Sequence, residues 1–326
     1  MKKKIICICM LWMLLILSGC GAVKKAVNLS TSYEEHYESS EEQLKDKVLT
    51  ERWQAKGVRL GVIAKENAKK EVSYQNAKEA LLINCDTNEV LVSQNVFDRT
   101  YPASTTKIMT ALLVLENLDL KEEVTIKHDI TFDDSAAVSM KLKKGDKISV
   151  ESLLNALIVM SANDAAVALA EETAGSEAKF VDMMNERAKE LGATGTHFAN
   201  PHGLHEKNHY TTAYDLYLIF HEVTKHNEYF DIASKANSYI EYTDASGQLK
   251  AYDMSSTDEY LTGEHALPSK ISFVGGKTGT TTEAGACLVL MTENDKGEEY
   301  ISVVLKADNH PILYKTMNEV LSEENK

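Results

Sequence analysis

Positive charge is scarce in this chain of 326 residues, which has 35 lysines and arginines against 49 aspartates and glutamates. The net charge of −14 offers no basic face to attract a phosphate backbone, so no nucleic-acid partner is expected. The hydrophobic content of 44% is sufficient for a full core in a chain of this length. Disorder throughout the chain is therefore excluded.

Cysteine is scarce too, with five in the whole chain. Two of them fall in the apolar N-terminal segment and a third is Cys20, which leaves Cys85 and Cys287 for the folded part. A disulfide framework is therefore not indicated. Both remaining cysteines lie in apolar, strand-like runs, where a buried thiol behaves as a small hydrophobe. We predict two free thiols, with a single Cys85–Cys287 bridge as the alternative.

The apolar run near the N-terminus, from Ile5 to Leu17, is shorter than the about 20 residues that a membrane-spanning helix needs. Three lysines precede it, so we predict a cleaved export signal over residues 1–19. The segment ends in Leu17–Cys20, with the sequence LSGC, which resembles the lipobox of bacterial lipoproteins. The resemblance implies an extracytoplasmic protein anchored to the cell membrane by a diacylglycerol on Cys20. An ordinary signal followed by a chance cysteine is the alternative.

The rest of the chain divides into a polar segment and a compact part. Residues 20–76 are rich in glutamate and poor in core-forming residues, so we interpret them as a lipidated N-terminus and tether. The apolar runs 81–83 and 90–92 flank the turn-forming Asp86–Asn88, which predicts a β-hairpin. Apolar residues at three-and-four spacing then predict helices over residues 107–118, 150–160, 164–174, 176–191 and 212–224.

Strand character returns in the C-terminal part. The runs 286–291 and 300–305 are separated by the turn-forming Asn294–Gly297, which predicts antiparallel neighbours. A last helix is predicted from Pro311, with Asn309 as its N-cap. Strands at both ends with helices between them predict one α+β domain over residues 77–326.

Ser104 and Lys107 stand at the start of the helix predicted over residues 107–118. Residues three apart lie on one helical face, so Lys107 can reach the Ser104 hydroxyl. Serine needs a base to act as a nucleophile, and lysine serves as that base only where burial or a second cation lowers its pKa. By itself the Ser-x-x-Lys pattern also fits an ordinary helix start.

Two further patterns carry polar groups. Ser161 and Asn163 lie between predicted helices, where a hydroxyl and an amide can project into one cleft, or alternatively cap the next helix. In Gly275–Thr281 the glycines let a ligand backbone approach. Lys277 and Thr278 can hold a carboxylate there. A glycine-rich loop before a strand is the alternative for this segment.

The three patterns occur in the order Ser-x-x-Lys, Ser-x-Asn, Lys-Thr-Gly, which resembles the penicillin-recognising serine acyltransferases. Wider stretches resemble the low-molecular-mass penicillin-binding proteins of the D-alanyl-D-alanine carboxypeptidase family. These stretches are residues 101–110, 161–166, 198–204 and 277–285. The resemblance implies a β-lactamase/transpeptidase-like α+β fold, in which a five-stranded antiparallel sheet has helices on both faces and a helical subdomain.

The resemblance also implies a role for each site residue. Ser104 is the nucleophile, Lys107 its base and Ser161 a proton relay. The substrate-binding residues are Asn163, Lys277, Thr278, Gly279 and Thr280. The implied activity is that of a serine D-alanyl-D-alanine carboxypeptidase on peptidoglycan stem peptides, with β-lactam antibiotics as substrate mimics and no cofactor.

Two positions depart from the family pattern. Asn88 stands in the hairpin where relatives usually have glycine, which asparagine can replace in a left-handed conformation. Asp258 begins a stretch where relatives often have asparagine, which leaves the shape of the groove open. A group of histidines suggests a metal, but the loop at residues 200–204 belongs to the resemblance, so no metal is predicted. These histidines are His197, His202, His205 and His209.

Three other functions remain as alternatives. A class A β-lactamase shares the motifs but needs a glutamate that activates water, and none stands in a suitable context between Ser161 and Lys277. A D,D-endopeptidase that cuts peptidoglycan crosslinks has the same active site and differs only in the shape of its groove. A non-catalytic, β-lactam-sensing or wall-binding lipoprotein is disfavoured because every key polar residue is retained.

Overall fold

A computed structural model describes residues 73–135 and 137–325. The predicted signal segment, the lipidated Cys20 and nearly all of the tether lie outside the described residues, so these three remain predictions. Within the described ranges, no helix has both the length and the apolar character that a bilayer crossing requires.

The described part alternates between strands and helices. In chain order the elements are β1 (Glu79–Asn84), β2 (Val90–Gln94), α1 (Lys107–Asn117), β3 (Glu123–Thr125), β4 (Lys147–Ser149), α2 (Val150–Ile158), α3 (Asn163–Ala174), α4 (Glu177–Leu191), α5 (Ala213–Val223), α6 (Asn227–Ala233), β5 (Asn237–Thr243), β6 (Leu249–Ser255), α7 (Glu259–Thr262), β7 (Ile271–Thr281), β8 (Gly285–Asn294), β9 (Glu299–Ala307) and α8 (His310–Leu321). Two short 3-10 helices, Ala103–Thr106 and Ser322–Asn325, precede α1 and follow α8.

Five strands form one antiparallel sheet in the order β2-β1-β9-β8-β7. Side chains alternate between its faces, as the pleat of a strand requires: Leu81 and Ile83 pack in one core, and Leu82 packs in the other. Helix α8 covers one face, and α1 and α5 contribute to the core on the other. The predicted α+β fold, with a five-stranded antiparallel sheet and helices on both faces, is confirmed.

A second sheet, with the order β3-β4-β5-β6, was not predicted from the sequence. Strand β6 has one buried residue, Met254, and β5 has two, Ser238 and Ile240. Neither strand therefore has the apolar run that identifies a strand in the sequence. This sheet leads from β6 directly into residues 256–258, which lie beside the groove described below.

The helix boundaries follow the sequence closely because side chains cap the helix starts. The side chains of Ser149, Ser176, Thr212 and Asn309 each accept a hydrogen bond from a backbone N–H in the first turn. In the hairpin between β1 and β2, Asn88 has a φ of 61° and takes the left-handed conformation in place of glycine. Cys85 and Cys287 are free thiols, as predicted.

Candidate active site

Ser104 is presented by a constrained turn. It lies half-buried in the 3-10 helix that precedes α1. The residue before it, Ala103, has a φ of +49°, which L-residues seldom adopt. The backbone of Gly203 packs against this turn so closely that an added Cβ would lie 1.9 Å from the Ala103 carbonyl oxygen. The 198–204 loop thus holds Ser104 in place from a distant part of the chain.

Lys107 is fully buried beneath Ser104. Its Nζ lies 2.9 Å from Ser104 Oγ, 2.7 Å from Asn163 Oδ1 and 2.6 Å from the His202 carbonyl oxygen. Burial, and after it the charge of Lys277, holds the pKa of Lys107 well below its usual range, while Asp164 opposes this shift. The sequence interpretation named burial or a second cation as the cause, and the structure shows both, with burial the larger.

The hydrogen-bond partners of Lys107 define where its lone pair points. A neutral amine has two hydrogens and one lone pair, and the Asn163 and His202 oxygens only accept. Both hydrogens are used by these two acceptors. The lone pair then faces Ser104 Oγ, so the amine is placed to take the hydroxyl proton.

Ser161 and Asn163 are not helix caps. The residue that caps α3 is Ala162, and no side chain accepts a capping hydrogen bond there, so the capping alternative is wrong. Ser161 is buried with a φ of +65°, and its Oγ has no hydrogen-bond partner among the described residues. A buried hydroxyl left unpaired costs about 1–3 kcal/mol, so its retention calls for an explanation, and a catalytic role is one.

Asn163 is fixed by the residue that follows it. The carboxylate of Asp164 is buried and accepts hydrogen bonds from the backbone N–H groups of Met140 and Leu142 and from the Ser139 hydroxyl. The Asn163 N–H donates to the carbonyl oxygen of Val138 in the same loop. Sequence reasoning missed this anchor because its partners lie more than twenty residues away.

Strand β7 lies against the Ser104 turn, and the space that it shares with Ser104 and Asn163 is called the groove. Lys277 is buried, donates from Nζ to the Thr278 carbonyl oxygen at 3.1 Å, and has a pKa lowered by burial to about 7. The Thr278 hydroxyl lies 2.6 Å from that of Thr257, a contact the sequence did not indicate. A Cβ added to Gly279 would lie 2.7 Å from Ser104 N, so the strand backbone packs directly against the Ser104 turn.

Asp258, the departure from the family pattern, lies behind this strand. Its Oδ1 accepts a hydrogen bond from the N–H of Tyr260 and caps α7, whereas its buried Oδ2 has no hydrogen-bond partner in the part of the chain that the structure describes. Burial raises the pKa of Asp258 to about 6. When ionised, its charge favours the protonated form of Lys277 and so opposes the burial effect there.

His202 and His209 each make a different structural contact. His209 accepts a hydrogen bond from Ala199 N at Nδ1, so its Nε2 carries the hydrogen donated to Thr106 Oγ1 at 2.7 Å. His202 accepts from Leu204 N at Nδ1 and offers its carbonyl oxygen to Lys107. Burial lowers the pKa of both imidazoles to about 3, so both are neutral. Among residues 73–135 and 137–325, no three metal-ligating side chains lie close enough together to hold an ion.

The structure therefore brings most of the predicted site residues together. Contacts link Ser104, Lys107 and Asn163 directly, and Gly279 packs on the Ser104 turn. Thr280 lies exposed at the next position on β7. Ser161 lies two residues from Asn163 with its hydroxyl unpaired among the described residues. Their chemical roles remain predictions that the experiments below test.

Comparison with known proteins identifies the family and the fold. Residues 65–309 match the family described as D-alanyl-D-alanine carboxypeptidase. The chain is 37% identical to D-alanyl-D-alanine carboxypeptidase DacF of Bacillus subtilis, over 69% of this chain and 56% of that protein. It is 31% identical to DacC of Escherichia coli, over 77% and 62% of the two chains. The chain thus matches less than two thirds of the length of these relatives.

Two solved structures have a similar fold. A point mutant of the Streptomyces K15 DD-transpeptidase has a TM-score of 0.67 at 27% identity, over 76% of this chain and 97% of that one. Penicillin-binding protein D2 from Listeria monocytogenes, in its cefotaxime-bound form, has a TM-score of 0.66 at 30% identity, over 79% and 100% of the two chains. From the match over residues 65–309 and the geometry of the groove, the chain belongs to the D-alanyl-D-alanine carboxypeptidase family, as the order of its motifs predicted.

Proposed function

We propose that this protein is a serine D-alanyl-D-alanine carboxypeptidase that removes the terminal D-alanine from peptidoglycan stem peptides. One observation carries the proposal: the fully buried Lys107 Nζ, whose pKa is held well below its usual range, lies 2.9 Å from Ser104 Oγ, and its other two partners are oxygens that only accept. The names of the relatives support the substrate class, and the β-lactam-bound structure of a similar protein supports penicillin binding.

In the proposed mechanism, Lys107 takes the Ser104 proton while Oγ attacks the carbonyl carbon of the penultimate D-alanine. The backbone N–H groups of Ser104 and Thr280 stabilise the oxyanion, an effect that reaches about 3 kcal/mol for one donor. Ser161 passes a proton to the leaving nitrogen, D-alanine departs, and an ester to Ser104 remains. Water then hydrolyses this ester and restores the Ser104 hydroxyl. Lys277 and Thr278 hold the terminal carboxylate, and Asn163 holds the peptide amide.

We also propose that the protein acts outside the cytoplasm, anchored to the cell membrane by a lipid on Cys20. The sequence supports this through the lysine-rich start, the short apolar run and the terminal Leu17–Cys20. Mass spectrometry of the membrane-extracted protein tests it. We expect Cys20 to be the first residue and to carry a diacylglyceryl adduct. An unmodified Cys20 or an uncleaved signal would overturn the proposal.

The activity is tested by intact-mass analysis of the full-length protein, incubated separately with benzylpenicillin and with a peptide that ends in D-Ala-D-Ala. The Ser104→Ala variant is the control. A penicilloyl adduct that is lost in the variant, together with released D-alanine, is the expected result. An adduct without release of D-alanine would favour the D,D-endopeptidase or the β-lactam sensor. The absence of any adduct would refute the proposed chemistry.

A further inference from the structure

A chain of three polar contacts extends the groove beyond the motif residues. Thr280 Oγ1 lies 2.9 Å from His310 Nε2, and His310 Nδ1 lies 2.6 Å from Glu259 Oε1. The other oxygen of Glu259 lies 3.1 Å from His265 Nε2. A hydroxyl, an imidazole and a carboxylate thus contact one another in series. The hydroxyl belongs to Thr280, the exposed residue after Gly279 on β7.

This chain is held rigidly at its inner end. His310 is the first residue of α8, whose start is fixed by the Asn309 cap and by Pro311. The backbone N–H of Glu259 donates to the Tyr314 hydroxyl at 2.8 Å. The ring of His265 stacks on Tyr314, with centroids 4.6 Å apart and planes 9° from parallel. Glu259 is mostly buried, whereas the His310 side chain is 40% exposed at the groove.

The contacts restrict the hydrogen positions. An ionised carboxylate only accepts, so His310 Nδ1 carries a hydrogen that it donates to Glu259. In the neutral imidazole, Nε2 then accepts the hydroxyl hydrogen of Thr280, whose oxygen lone pairs face the groove. In the imidazolium, Nε2 donates to Thr280 Oγ1 instead, and the Thr280 hydrogen is free to be donated to a ligand.

A bound carboxylate distinguishes these two states. It repels the lone pairs of Thr280 in the first state, whereas in the second it accepts a hydrogen bond from Thr280 beside an added positive charge. A carboxylate ligand is therefore recognised by the arrangement in which Thr280 donates its hydrogen. The chain has no arginine after Arg187 that could supply a bidentate partner on β7 or α8. Glu259 contacts this imidazole directly, and Glu259 in turn contacts His265 and Tyr314.

We propose that His310, oriented by Glu259, is a specificity residue that selects substrates with a free terminal carboxylate through the Thr280 hydroxyl. The inference rests on the proposed function, because the groove must first accept a substrate at Ser104. It adds a histidine on α8 to the Lys277 and Thr278 pair on β7. His310 acts by setting the direction of the Thr280 hydrogen bond, which no motif in the sequence indicates.

The test compares benzylpenicillin, which has a free carboxylate, with its methyl ester. The second-order rate of Ser104 acylation is measured for both on the full-length protein by intact mass. For His310→Ala we expect the acid-to-ester rate ratio to fall on the order of tenfold, the value of one charge-assisted hydrogen bond. His310→Gln, whose amide can donate to Thr280 without the charge, should give an intermediate ratio. Glu259→Gln should also lower the ratio.

His128→Ala is the matched control. His128 makes a similar contact with a glutamate, Nε2 to Glu171 Oε1 at 2.9 Å, on an exposed surface. The acid-to-ester rate ratio of His128→Ala should equal that of the wild type. If the acid-to-ester rate ratio is unchanged in His310→Ala, the inference is wrong. Equal slowing of both compounds would then mean that the residue is structural. If neither compound acylates the wild type, the proposed function itself fails and the inference fails with it.

Discussion

The contact between Gly279 and the Ser104 turn leads to a sharp prediction for Gly279→Ala. The new Cβ would lie 2.7 Å from Ser104 N, 2.8 Å from Thr105 N and 3.1 Å from the Pro102 carbonyl oxygen. Ordinary van der Waals contact begins at 3.4 Å, so β7 and the turn must separate by about 0.7 Å. All three atoms are backbone, so no side chain can move aside.

This separation affects catalysis more than stability. A misplacement near 1 Å costs on the order of a hundredfold in rate, whereas overpacking costs about 1–3 kcal/mol of unfolding free energy. We expect Gly279→Ala to lower the rate of acylation by benzylpenicillin about a hundredfold while the protein stays folded. Intact-mass kinetics and urea unfolding measure the two effects.

The control for this prediction is Gly297→Ala in the turn between β8 and β9. Gly297 has a φ of +79° and nothing within 4 Å of an added Cβ, so the variant adds backbone strain of about 1 kcal/mol without a clash. It should acylate at the wild-type rate. A Gly279→Ala protein that acylates within about threefold of the wild type would refute the argument that close backbone approach positions Ser104.

Three further predictions follow from the charges and caps. Lys277 has a pKa of about 7 and loses its positive charge above that pH. Because Lys277 is proposed to hold the substrate carboxylate, kcat/KM for a D-Ala-D-Ala peptide should fall as pH rises through 7. A flat profile from about pH 6 to 8.5 would contradict this. The buried carboxylate of Glu79 forms a 3.8 Å ion pair with Lys78, but burial raises its pKa from 4.5 to about 7, so native stability declines as pH rises between those values. The change in unfolding free energy caused by Glu79→Gln should therefore be more stabilising at pH 8 than at pH 5, by about 1–3 kcal/mol. Urea titration at the two pH values measures it. Asn309→Ala removes the bond to Ile312 N and should cost about 1 kcal/mol in the same assay, whereas Asn309→Asp should retain most of the stability.

The elements that the sequence predicted well are those with a local signal. Helices α1 to α5 end within two residues of the predicted limits, because each has an apolar face encoded locally, and α2, α4 and α5 also have a capping side chain. Strands β8 and β9 carry apolar runs that are buried on both faces of the sheet, and they were found for the same reason. The exposed strands β5 and β6 have no such run, and their pairing depends on neighbours that the sequence does not identify.

At the groove, local spacing related residues within one motif, such as Ser104 and Lys107, three residues apart. The other two partners of the Lys107 amine lie 56 and 95 residues away, and the Thr280, His310 and Glu259 chain joins three separate elements. Motif order indicated the family, but it did not indicate which groups surround the amine. The departure at Asp258 was visible in the sequence, whereas its burial and its effect on Lys277 were not.

The sequence by itself determined the family, the α+β class and the polar residues on which the chemistry is proposed to depend, because each is recorded in spacing, capping or motif order. Only the tertiary structure decided the protonation of those residues. Burial is the leading cause of the lowered pKa values of Lys107 and Lys277, and burial arises from segments far apart in the chain. The same packing sets the direction of the amine lone pair and of the Thr280 contact, since both depend on acceptors delivered by other elements.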